Sequence, residues 1–304
     1  MEEITIVTAF FNINRENWNK FERGADQYLN YFSKWAKMKN KLIVFVENEE
    51  LAKKIIEVRN NYNLGKRTIV NIIDDYKDID RDLYNSIKKV SQDNIHKEFR
   101  LLPNNPEVWN YNYDYIMLLK MWCVKEAIKN GQAKGMVAWV DFGYNHGGAV
   151  IDESSDFSFT WKYNFPEKIN LFSVQDLDDR PIFDIVRSMD TYIMGTVIVG
   201  IDYLWNDFWL LMRESMMSLN KCGLIDDDQT VILMSYREKP EIFNIYKSSW
   251  HLPIKQFGGE HLKIKNNISK NTNLRFLVRK LKNTKLNFKY CIKTFNNLQK
   301  INRK

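Results

Sequence analysis

Cysteine is scarce in this chain. Cys123, Cys222 and Cys291 lie far apart and form no CxxC pair, so neither a disulfide framework nor a structural zinc site is expected, and a reducing cytoplasm suits the sequence. Long hydrophobic runs are missing too: no uninterrupted apolar stretch approaches the ~18 residues of a membrane span. The opening Met1-Glu2-Glu3 is acidic and leads straight into Ile4-Thr5-Ile6-Val7, unlike the basic and then apolar regions of a secretion signal. Gly24, Gly65 and the Gly147-Gly148 pair match neither GxGxxG nor GxxxxGKS/T, which disfavours Rossmann and P-loop nucleotide binding. Acidic residues stop at Glu260, after which 13 Lys and Arg follow to Lys304. The formal charge of +7 therefore belongs to a tail, and the body before it is acidic.

What remains is 44% hydrophobic and 14% aromatic, enough for a sizeable buried core. Ile4-Thr5-Ile6-Val7-Thr8-Ala9-Phe10-Phe11 reads as a buried strand, and Trp18, Phe21, Ala25, Tyr28, Leu29, Phe32 and Trp35 follow at helical spacing. Leu42 to Val46 and Thr68 to Ile73 are further strands, separated by a helix over residues 49–62. This is a βαβαβ half with parallel strands and helical crossovers. Residues 76–109 are polar and look like an excursion from the core. Tyr113 to Ile128 is a helix apolar nearly all round, feeding the run Gly135 to Val140. Strands are also expected at 168–174 and 192–200, and helices at 204–219 and from Asp226.

The run ending at Val140 stops in Asp141-Phe142-Gly143-Tyr144-Asn145-His146. Ligands of open α/β sheets bind beyond strand carboxyl ends, so Asp141 is the leading site residue. Without a glycine-rich loop, a bound diphosphate needs other neutralisation. One source is a divalent ion on hard oxygen ligands, Mn²⁺ or Mg²⁺, held by Asp141 and completed by Asn145 or His146, or by a late histidine such as His251 or His261. Lys120 and Arg15 are candidate cations for phosphates. Asp226-Asp227-Asp228 opens a helix, where one acid suffices for capping; Asp227 or Asp228 is then free to deprotonate an acceptor hydroxyl. The tail after Ile264 alternates cations with Leu, Phe and Ile, the pattern of a basic amphipathic helix at an anionic membrane surface.

Taken in order, the segments Ile6 to Trp18 (IVTAFFNINRENW), Trp139 to Tyr144 (WVDFGY) and Ile225 to Gln229 (IDDDQ) resemble the HtrL/YibB family of bacterial proteins. That family is associated with surface-polysaccharide loci and looks like GT-A glycosyltransferases. The resemblance implies an α/β fold: a GT-A-like single domain over residues 1–260, with a mostly parallel central sheet flanked by helices, and a basic helical tail over 261–304. It implies transfer of a sugar from a nucleotide-diphosphate donor, most simply a UDP-sugar, to a glycan hydroxyl in lipo-oligosaccharide or capsular polysaccharide synthesis. The donor would meet Thr8, Ala9, Phe10, Asn12, Arg15, Asp75, Lys120, Asp141, Gly143 and Asn145, and the acceptor Gly195 and Thr196. Gly143 stands where GT-A enzymes carry a second metal-binding carboxylate, so the divalent cation either leans on Asp141, His251 and His261 or is dispensable. The expected acceptor is a glycan or lipid-linked oligosaccharide, reached from the inner face of the cytoplasmic membrane, with no nucleic acid. A nucleotidyltransferase, and a nucleic-acid-binding protein acting through its basic tail, are the alternatives.

Overall fold

The apolar runs become strands of a single sheet. The computed structural model describes residues 2–265 together with residues 281, 284, 285, 288, 291 and 292. Among these, β1 (Thr5–Phe10), β2 (Leu42–Val46), β3 (Thr68–Ile72), β4 (Met136–Val140), β5 (Ile169–Ser173), β6 (Ile193–Ile201) and β7 (Phe243–Lys247) pair in the order β3-β2-β1-β4-β6-β5-β7. Every pairing is parallel except the two made by β6, which runs antiparallel to β4 and β5. Leu-Ile-Val-Phe-Val of β2 is buried at each position, as a strand covered on both faces must be. Along the central strands alternate residues divide between two cores. Val7, Ile43, Val137 and Trp139 enter one; Ile6, Val44, Ala138 and Val140 enter the other.

Helices cover both faces. α1 (Ala25–Trp35) and α2 (Glu49–Asn60) supply Phe32, Trp35, Leu51 and Ile55 to the second core. The first core is closed by α3 (Arg81–Ser91), α4 (Asn94–Phe99), α6 (Tyr111–Lys129), α7 (Ile182–Ser188), α8 (Trp205–Lys221) and α9 (Asp228–Glu238), with α5 (Pro106–Trp109) packed on α4 and α6, while α10 (Pro253–Gln256) returns to the second. Several helix starts carry side-chain caps: Asn48, Asp80, Asn110 and Asp227 accept from backbone N–H groups of α2, α3, α6 and α9.

Three expectations change. The segment at 76–109 is no excursion, because Leu83 and Ile87 of α3 are fully buried where α3 packs on α6 and α8. The helix expected from Trp18 begins only at Ala25, after Gly24 in an extended conformation. Residues 15–23 instead form a loop closed by the Arg23 N–H donating to the Arg15 carbonyl at 3.2 Å. β7, the edge strand beside β5, was not anticipated; it is short, and only Phe243 of its five residues is buried. At the far end the body runs a little past residue 260: Leu262 is buried and Ile264 bridges to Ile151. Most of the basic tail lies outside the described residues. Those described at 281, 284, 285, 288, 291 and 292 are helical, and no helix among the described residues is long and apolar enough to cross a membrane.

Candidate active site

Chain direction across the sheet reverses between β1 and β4: β1 leads outward to β2 and β3, whereas β4 is followed on its other side by β6. Such a reversal leaves a crevice beyond the strand carboxyl ends. A pocket occupies it, lined by Phe10 to Asn12 after β1, by Asp141 to Gly143 after β4, by Gly195 and Thr196 of β6, and by Asp228 and Gln229 of α9.

Its floor is a buried charge relay. Lys120 of α6, with a 5% exposed side chain, places Nζ 3.0 Å from Asp141 Oδ1 and 2.7 Å from Asp228 Oδ2, and donates to the Gly195 carbonyl at 3.1 Å. Burial alone would pull the Lys120 proton off; the two carboxylates outweigh it and hold the ammonium charged above its ordinary range. Asp228, only 2% exposed, has its carboxyl pushed up by burial, against the pull of Lys120 and with Asp141 adding to the push. Asp141 is fixed from three directions. Its N–H donates to the Thr196 carbonyl at 2.9 Å, Oδ1 also accepts from Trp139 Nε1 at 2.8 Å, and the next residue, Phe142, stacks on Phe32 at 4.6 Å.

The walls carry positive charge. Arg15 donates from Nε to the Phe21 carbonyl at 3.0 Å and from Nη1 to Tyr28 Oη at 2.9 Å, with its Cζ 5.0 Å from the Trp18 ring centre. Arg23 Nη1 donates to His146 Nε2 at 3.1 Å. Burial, with Arg23 and His251 adding, lowers the His146 pKa to about 4, so its ring is a neutral acceptor. His251 is likewise pushed down to about 4, chiefly by burial. It stands 5.1 Å from His146, ring to ring, and its Nδ1 accepts from the Asn145 N–H at 3.2 Å. Trp250, 37% exposed, stands beside it at the mouth.

Of the residues singled out from the sequence, Ala9, Phe10, Asn12, Arg15, Lys120, Asp141, Gly143, His146, Gly195, Thr196, Asp228 and His251 line this pocket. Five lie elsewhere. Thr8 is fully buried inside β1 and its Oγ1 has no partner among the described residues. Asp75 follows the edge strand β3, two strands from β1, and caps a surface turn through the Lys77 N–H at 3.0 Å. Asn145 pins its own loop, donating to the Ile151 carbonyl at 2.7 Å and accepting from Val150 and Ile151 N–H at 2.9 Å. Asp227 caps α9, its two oxygens taken by the Gln229 backbone and side chain at 3.0 Å. His261 lies on the surface against the Asp156 carbonyl and the Phe159 ring.

The metal set Asp141, His251 and His261 is therefore not assembled, and among the described residues no three His, Cys, Asp or Glu side chains are grouped to hold an ion. Both carboxylates facing the pocket already share the Lys120 ammonium. At position 143 a Cβ would lie 3.0 Å from the Tyr28 ring, so a carboxylate there would require that ring to shift by a few tenths of an ångström. Sequence reasoning missed Arg23, Tyr28, Tyr113, Trp139 and Trp250 among the lining residues. No motif marks them, and the loop that carries Arg23 imitates the helical spacing of the helix after it.

Among solved structures, one described as PaToxG Glycosyltransferase aligns with 79% of this chain and 71% of its own at 11% identity, with a TM-score of 0.38. Among curated proteins, Protein HtrL of Escherichia coli (strain K12) is 33% identical over 257 residues, covering 79% of this chain and 86% of that protein. Residues 2–258 match the family described as "Bacterial protein of unknown function (HtrL_YibB)". With a match over nearly the whole body and a relative at that identity, this chain belongs to the HtrL/YibB family.

Proposed function

We propose that this protein is a glycosyltransferase that moves a sugar from a nucleotide-diphosphate donor to a glycan hydroxyl, in the building of lipo-oligosaccharide or capsular polysaccharide. The observation that carries the reading is the meeting, at the reversal point of the sheet, of the Lys120-Asp141-Asp228 relay with the guanidinium of Arg15 in one pocket. The motif resemblance to the HtrL/YibB family, which looks like GT-A glycosyltransferases, points the same way. Ala9 and Phe10 at the end of β1, with Asn12 just beyond it, face the nucleoside; Arg15 faces the diphosphate; Gly195 and Thr196 face the acceptor.

In the reaction the bond from the anomeric carbon to the diphosphate oxygen breaks, and its electron pair leaves with the nucleoside diphosphate. A new bond forms to the acceptor oxygen, whose proton passes to Asp228. Burial raises the basicity of that carboxylate, and Lys120 tempers the effect. Cations on the walls favour the departing diphosphate over the neutral bond it came from. The residues present do not fit the expected divalent ion: among the described residues no three His, Cys, Asp or Glu side chains are grouped, and Lys120 sits between Asp141 and Asp228. The basic tail belongs to this reading as a membrane contact: Leu281, Phe288 and Ile292 are all exposed, and cations alternate with them in the sequence.

Calorimetric titration with a panel of nucleotide sugars, followed by transfer assays on extracted lipo-oligosaccharide, tests the proposal. A hydrolysable donor should bind, and Asp141→Ala should lower turnover about 100-fold or more. Binding by none of the panel, or full turnover in Asp141→Ala, sinks the assignment. Release of pyrophosphate in place of nucleoside diphosphate would identify a nucleotidyltransferase instead.

A further inference from the structure

Each of the pocket's acidic and basic groups is spoken for except along one wall. The two carboxylates on the floor, Asp141 and Asp228, share one ammonium, which leaves them a negative charge in excess. Opposite, Arg15 and Arg23 sit at the two ends of the 15–23 loop, and among the described residues neither guanidinium has a carboxylate partner. Both are nonetheless held in place. The loop is tied across its neck by the Arg23 N–H to the Arg15 carbonyl at 3.2 Å. Arg15 is braced by the Phe21 carbonyl and Tyr28 Oη between the rings of Trp18 and Tyr113, 5.0 and 5.8 Å away; Arg23 is braced by His146 Nε2. Neutral acceptors orient these cations without cancelling their charge, the arrangement that keeps a guanidinium fork available to a phosphate.

We propose that Arg15 and Arg23 grip the donor's diphosphate between them, so that the leaving group is neutralised by this loop and binding needs no divalent cation. The inference rests on the nucleotide-donor reading above and adds to it the identity of the counter-charge. The floor supports it: a divalent ion at Asp141 would lie close to the Lys120 ammonium, whose Nζ is 3.0 Å from Oδ1, and would be repelled by its charge. With the two guanidiniums the pocket carries a net positive charge; without them it would repel a diphosphate. His146 is a positioning residue here, acting through Arg23.

The test is calorimetric titration of the full chain with UDP, and separately with inorganic pyrophosphate, in EDTA and again in excess MnCl₂. Both probes should bind in EDTA, with affinities within about threefold of those in Mn²⁺. Arg15→Gln and Arg23→Gln should each weaken both by about tenfold or more, with unchanged far-ultraviolet circular dichroism. Arg23→Lys, which keeps the charge but not the fork, should fall between. Binding of UDP only in Mn²⁺, or wild-type affinity in Arg23→Gln, overturns the clamp while leaving the donor reading intact. If neither probe nor any nucleotide sugar binds in either condition, the donor reading falls, and the clamp with it.

Discussion

A methyl group added to Gly195 would lie 1.8 Å from Asp228 Oδ2, closer than any carbon and oxygen can approach without bonding. The glycine is what lets β6 pass against the relay while its carbonyl accepts from Lys120. Gly195→Ala should push the Asp228 carboxylate off Lys120 by an ångström or more and lower kcat roughly 100-fold, by the usual sensitivity of reacting groups to displacement. The far-ultraviolet spectrum should be retained. Steady-state kinetics beside a thermal melt separates that outcome from simple unfolding. At this scale the sequence pointed to pocket-lining residues where an acid coincides with a strand end or a helix start, as at Asp141 and Asp228. It was silent for Arg23, whose position depends on how residues 15–23 close. It misled at Asp227, because a run of acids does not say which of them turns back to cap the helix.

The loop after β4 shows what an element contributes beyond its residues. Asn145, His146, Gly147 and Gly148 have φ of 59°, 45°, 70° and 123°, a left-handed run that costs non-glycine residues energy and persists only when surroundings enforce it. The Asn145 side chain enforces it through three hydrogen bonds to residues 150 and 151. Asn145→Ala should destabilise the protein by about 1–3 kcal/mol. Amide exchange at residues 145–151 should rise, and donor affinity should weaken as His146 loses its hold on Arg23. Urea denaturation and hydrogen exchange check both. Elements built from long apolar runs, β1, β2, β4 and α6, were readable because burial on both faces leaves an unbroken hydrophobic signature. β7 was not readable: half-exposed at a sheet edge, Phe243 to Lys247 alternates too briefly to stand out. The true start of α1 was hidden because Trp18 and Phe21, which pack in a loop, fall by chance at helical spacing.

For the whole molecule, charge buried away from the pocket sets the response to pH. Asp114 of α6 is fully buried and neither oxygen has a partner among the described residues. Burial, reinforced by Asp226, Asp227 and Glu107, raises its pKa well above the ordinary 3.8. The folded state therefore keeps this group protonated while the unfolded chain ionises it, so its contribution is fully present below the unfolded value and is lost as pH rises. Asp114→Asn removes that penalty. Its stability relative to wild type should grow by about 1.4 kcal/mol per pH unit above ~4 until the folded pKa is passed. Melting temperatures of the two proteins should therefore be similar in acid and diverge at pH 8.

The tail gives a second prediction at the same scale. Truncation after Lys265 should abolish sedimentation with anionic phosphatidylglycerol vesicles while leaving turnover on a soluble acceptor unchanged. Loss of RNA or DNA binding in its place would speak for a nucleic-acid role. The body's architecture was largely legible from hydrophobic pattern and order of elements. The direction of β6 was not, since an antiparallel strand buried among parallel ones carries the same unbroken apolar signature.

That reversed strand has a practical side. Because β6 begins where its neighbours end, the pocket rim gathers strand ends and a strand beginning, and the opposite rim gathers none of the reacting groups. There the turn after α6 exposes Lys129 and Asn130, ahead of Gly131, whose φ of 67° suits few side chains. A fluorophore or an affinity handle carried on that turn would ride behind the catalytic edge, allowing ligand binding to be followed without a reporter standing in its path.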